Sequence, residues 1–129
     1  MSWNKMIPAD QITTKVTEET VKFAEEFGKY LGTTDTSNNE SKLTTSQLRK
    51  FFGEVKRQQM VGYDETAFVL LKPKLAYAVG RAKKGSKITD FYKVMSQAID
   101  QVHNEEQFKR FVQIFEAIVA YHKATESEK

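Results

Sequence analysis

Two apolar stripes in the last third of the chain constrain its fold more than any other feature. Ile88, Phe91, Tyr92, Met95, Ile99 and Val102 fall in one helical register, and Phe108, Phe111, Val112, Phe115, Ile118, Val119 and His122 fall in another. Apolar residues confined to one face of a 3.6-residue period suit a helix half-buried against neighbours, and a strand with alternating faces cannot use them. Asn104 and Gln107 supply a capping box between the stripes, so they read as two successive helices. Most of the nine phenylalanines lie on such stripes and belong to a core.

The rest of the chain continues in the same idiom. Thr17 caps a helix with Glu18 and Glu19 in its first turn and Phe23, Phe27, Tyr30 and Leu31 on its apolar side; Gly32 stops it. A second start signal is fuller, because Thr44 and Gln47 form a capping box while Leu43 and Leu48 flank it as a staple, predicting a helix over 45–60. Gly62 breaks that helix, and Asp64 with Glu65 opens a third helical segment through Phe68, Leu70 and Leu71. Pro73 pushes Lys72 away from the α region and kinks or restarts this segment, which then runs to Gly85. Residues 1–15 hold no sustained period and are expected to be a mobile arm, and residues 32–42 are polar and expected to form a long flexible loop. With no hairpin signal or alternating run, the expected fold is all-α, a single-domain bundle of about five helices spanning residues 1–129.

Charge is unevenly distributed. Residues 1–41 carry four Lys and seven Asp or Glu, residues 42–87 eleven Lys or Arg and three acids, and residues 88–129 five and seven, for nets of −3, +8 and −2. A basic middle third raises the odds of a phosphate-bearing partner. On the second helix Arg49, Lys50, Lys56 and Arg57 cluster beside the apolar arc of Leu48, Phe51, Phe52 and Val55. After Pro73, Leu75, Val79 and Ala82 line one side, whereas Lys74, Tyr77, Arg81 and Lys84 form a row down the other. A tyrosine among cations can stack on a base or hydrogen-bond a phosphate, and it can equally lie flat over its own helix.

Catalytic chemistry finds little support. With no cysteine there is no disulfide, thiolate nucleophile or cysteine-based metal site, which fits a cytoplasmic setting. No export signal appears, and no window approaches the roughly 18 uninterrupted apolar residues of a membrane span. His103 and His122 lack ligand-spaced partners, so no metal or other cofactor is expected, and His122 on an apolar stripe reads as a packed or capping residue. Glu18 with Glu19 and Glu105 with Glu106 sit in helix first turns, where the macrodipole favours them, and neighbours on a helix do not face each other as a dyad must. No phosphate loop or nucleophile elbow is present. A small ribonuclease using His103 or His122 remains only an outside alternative, and a helical adaptor that touches protein and not RNA is the main competing reading.

Three fragments, LTTSQLRKFFGEV (43–55), LKPKLAYAVGRAKKGSKITDFYKVM (71–95) and FKRFVQIFEAIVAYHKA (108–124), together resemble the small helical subunit of the type III-A CRISPR effector, the Csm complex. The resemblance implies an all-helical, non-catalytic protein whose copies stack as an inner filament beside the backbone subunits. It further implies contact with the large signalling subunit and with guide and target RNA. The family's motif of a cation, a tyrosine and glycine-arginine falls on Lys74, Tyr77, Gly80 and Arg81; its leucine-threonine-threonine-serine start with an arginine falls on Leu43, Thr44, Thr45, Ser46 and Arg49. The first 42 residues add nothing to the resemblance.

Overall fold

The computed structural model describes residues 3–37 and 40–127; positions 1–2 of the expected arm and 38–39 within the expected loop lie outside the described residues. The described chain is all-α, with helices α1 (Glu18–Leu31), α2 (Thr45–Val61), α3 (Glu65–Val69), α4 (Leu71–Arg81), α5 (Ile88–Ile99) and α6 (Glu105–Ser127). Five are long and α3 is a short lead-in, so the expected bundle of about five helices is what forms. Four of the starts carry the caps the sequence marks. The Thr17 side chain accepts from the Glu19 amide, Thr44 and Gln47 close a complete capping box, and Asp64 accepts from the Ala67 amide. Before α6, Asn104 accepts from the Gln107 amide while the Gln107 side chain reaches back to the His103 amide.

The core is one cluster of buried side chains contributed by every helix. At its centre, Phe51 of α2, Phe91 of α5 and Phe115 of α6 meet with ring centroids 5.5–5.8 Å apart. A second group stacks Tyr63, Phe68, Phe108 and Phe111 around the α3 end. Each buried ring removes a large apolar area from water, worth about 1.5–3 kcal/mol. Helix α6 packs along α1 and also against α2, and α4 packs on α5. The α1–α6 crossing is close because Gly28 lies in it: a Cβ there would sit 2.8 Å from the Ile118 carbonyl oxygen and from the Tyr121 Cβ.

Of the two outcomes expected at Pro73, kink or restart, the structure has the restart, but one residue pair earlier than the proline's effect on Lys72 implies. Lys72 stays helical, and the break falls at Leu70 instead, so the proline occupies the first turn of a new helix. Position 73 has no amide hydrogen to give the Val69 carbonyl, so α3 ends at Val69, while the first turn of α4 needs no such donor.

The N-terminal arm is also corrected. Residues 3–16 are docked on the bundle, with Ile7 and Ile12 buried and Trp3 lying over Phe27 and Tyr30 at 4.9 and 5.1 Å. The buried Gln11 side chain accepts from the Thr17 amide and hydroxyl and from the Thr20 hydroxyl, and the Arg110 guanidinium donates to the Ile12 and Thr13 carbonyls. Turns hold this segment in place of a helix, so no 3.6-residue period announced it.

The 32–42 segment is a loop as expected, but it is tied down among the described residues. Asp35 and Glu40 exchange backbone hydrogen bonds, and Ser41 pairs with the chain beside Ser86. Lys42 and Thr45 both reach Glu126 at the end of α6, at 2.7 and 3.1 Å. The hydrogen bond from Lys42 holds the Glu126 carboxyl below its ordinary range against the opposing effect of burial.

Candidate nucleic-acid interface

Helix α2 rests on α6 and α4 rests on α5, and between α2 and α4 the surface opens into a groove of about 740 Å³. Its base is apolar and buried, made by Leu43, Phe51, Leu75, Ile88 and Phe91. Its rim carries Lys50 from α2 and Lys74, Tyr77 and Arg81 from α4. The rim follows from the helix period: on α4 the apolar side of Leu75, with Val79 and Ala82 half-buried, turns inward, and Lys74, Tyr77 and Arg81 turn out.

Tyr77 is 68% exposed, and the Arg81 guanidinium lies 5.6 Å from its ring centroid. The guanidinium thus keeps a cation–π contact with a ring that stays largely in solvent. Lys50, Arg81 and Arg49 have exposed side chains and no acidic partner among the described residues. Lys74 meets Glu54 at 3.3 Å, and Arg57 meets the same carboxylate oxygen. The Arg57 hydrogen bond, with that of Lys74 behind it, holds the Glu54 carboxyl below its ordinary range despite partial burial. Glu54 thus stays ionised inside the basic groove and competes there for Lys74.

The eight expected site residues therefore do not form one surface. Lys50, Lys74, Tyr77 and Arg81 converge on the groove, and Arg49 lies exposed one residue from Lys50. Lys56 is turned to α6, where it pairs with Glu116 at 2.8 Å, and Arg57 is paired with Glu54. Lys84 is a correction: α4 ends at Arg81, Ala82 is extended, and Lys84 sits in the turn beyond, so the helical row has three members. A side chain at Gly80 would meet nothing within 4 Å, so no packing inside this chain calls for glycine there.

Sequence reasoning missed Glu54 and the apolar base. Glu54 is the one acid between residues 42 and 63, and that isolation was its available signal. Leu43, Ile88 and Phe91 come from distant parts of the chain, and no local pattern joins them. It also missed Lys87, which is buried and donates to the Tyr30 and Thr33 carbonyls at 2.9 and 2.6 Å, with its ammonium 4.0 Å from the Tyr30 ring centroid.

The histidines are not placed for shared catalysis. His122 is buried with Nε2 2.7 Å from the Leu43 carbonyl oxygen, as a packed or capping residue should be. His103 is exposed before the other end of the same helix, roughly 25 Å away at 1.5 Å per residue. Among the described residues, no group of three or more His, Asp or Glu could hold a metal, and no helix is long and apolar enough to cross a membrane.

No curated protein and no solved structure is detectably similar to the chain. A family model described as Csm2 Type III-A matches residues 14–128, which takes in every helix and the whole groove. The chain therefore belongs to the Csm2 Type III-A family, small subunits of the type III-A CRISPR effector complex.

Proposed function

We propose that this chain is a non-catalytic, cytoplasmic subunit that stacks with copies of itself as an inner filament of the complex and contacts the guide–target RNA duplex through the α2–α4 face. The observation that carries this reading is the convergence of Lys50, Lys74 and Arg81 from two helices around one groove. Cations held by separate helices at fixed spacing suit phosphates along a strand and carry no sequence information, as a subunit serving any guide requires. Contacts to the backbone subunits and the large signalling subunit fall elsewhere on the surface.

A second reading, the adaptor without RNA contact, is favoured by one feature. Met60 and Val61 at the end of α2 are 87% and 83% exposed, and Val69 and Leu70 at the α3–α4 junction are about half exposed. Large apolar side chains left in water mark protein contact. Protein contact at that end of α2 is also compatible with RNA contact at the groove, because Lys50 lies near the other end of the helix.

The test is RNA affinity across salt concentrations for wild type, Lys74→Glu and Arg81→Glu. Each variant should weaken binding and lower the slope of log affinity against log salt by about 0.7–0.9 per lost phosphate contact, with unchanged helical content by circular dichroism. Wild-type affinity in both variants would leave the adaptor as the function.

A further inference from the structure

From the apolar base of the same groove, and resting on the RNA-contact reading above, we infer that, where the bound RNA is unpaired beside the duplex, the site takes an unstacked nucleobase of that single-stranded stretch, with the rim cations on its flanking phosphates. A surface evolved for phosphates alone needs only cations. This one is an open groove of about 740 Å³ above Phe51, Leu75 and Phe91, a space in the range that holds a small apolar or aromatic group. A continuous duplex keeps its bases stacked inside and offers only phosphate and sugar, so it leaves that base uncovered. An unpaired nucleotide offers both a flat apolar face and an adjoining phosphate. Tyr77, on the rim and held by Arg81, supplies the aromatic face against which such a base stacks. The charge matches too: Lys50 and Arg81 flank the opening without acidic partners among the described residues, and Lys74 shares only the Glu54 contact.

The test uses the full chain and two fluorescent probes of equal length, a single-stranded RNA and a continuous RNA duplex, compared by anisotropy across a range of salt concentrations. The single strand should bind about tenfold more tightly than the duplex. Tyr77→Ala changes an exposed side chain and so should fold. It should cost the single strand about tenfold and leave duplex binding unchanged. Ala78→Leu, which narrows the groove from its half-buried lining, should act in the same direction. Equal affinity for both probes, or loss of both in Tyr77→Ala, overturns the base site while sparing the RNA-contact reading. Absence of salt-dependent binding to either probe overturns both. Altered self-association in Ala78→Leu with unchanged RNA binding also overturns the proposal, by assigning the groove to protein.

Discussion

Tyr30 illustrates how one side chain joins distant parts of the fold. Its hydroxyl donates to Asp90 Oδ2 at 2.6 Å, its ring carries the Lys87 ammonium, and Trp3 lies against it. Burial first, then the hydrogen bond and negative charge of Asp90, push the phenol well above its ordinary 10.0. A raised phenol stabilises the fold fully below about pH 10, where the unfolded side chain is still protonated, and that contribution is lost as pH rises through the folded value. Tyr30→Phe should therefore cost about 1–2 kcal/mol at neutral pH, by leaving the buried Asp90 without its donor. The same variant should lose less stability above pH 10 than wild type, as urea titrations at pH 7 and above pH 10 would measure. Lys87 keeps an aromatic face in this variant, so the change isolates the hydroxyl. None of this was legible in the sequence, where Lys87 counts as one more surface cation and Tyr30 as one more stripe residue. Lys74, Tyr77 and Arg81 were legible, because spacings of three and four on one helix place them together whatever that helix packs against.

The elements follow local rules where local chemistry suffices. Caps at Thr17, Thr44, Asp64 and Asn104 start four helices at or beside the positions their sequences mark. How helices meet is decided across the chain. Gly28 and Gly53 are both helix-interior glycines, and their sequences do not tell them apart. Gly28 lies in the α1–α6 crossing, so Gly28→Ala should destabilise by about 1–3 kcal/mol, because backbone of α6 must move. A Cβ at Gly53 meets nothing within 4 Å on the exposed side of α2, so Gly53→Ala should stabilise by about 0.5–1 kcal/mol. Thermal midpoints shifting in opposite directions would bear this out; a fall in both would mean the α2 face is covered. The misplacement of Lys84 has the same origin. The wheel extends a helix indefinitely, and what ends α4 at Arg81 is the return of the chain to pair with Ser41.

At the scale of the molecule, the +8 of residues 42–87 is a property of the chain and not of its surface. Lys42 pairs with Glu126, Lys56 with Glu116, Arg57 with Glu54 and Lys72 with Asp100, while Lys87 is buried. Acids from the negative flanks thus fold back onto the basic middle, and the remaining cations gather near the groove and the turn after α4. Met60 lies ten residues from Lys50, about 15 Å along α2, so an apolar contact there is spatially separate from the groove. The double variant Met60→Ser, Val61→Ser should reduce co-purification with the other subunits of the complex several-fold and leave RNA affinity and helical content unchanged. Undiminished co-purification would remove these residues from the interface.

By itself, the sequence determined that the chain is all-helical, where its capped helices start, which face of each is apolar, and which family it resembles. These follow from periodicity and capping, which act within a few residues. Only the tertiary structure decided that the arm is docked, which cations are neutralised, and that Lys50 shares a groove with Lys74, Tyr77 and Arg81. The reason is physical: pairing, burial and enclosure depend on groups far apart in sequence, and no local period encodes which of them will meet.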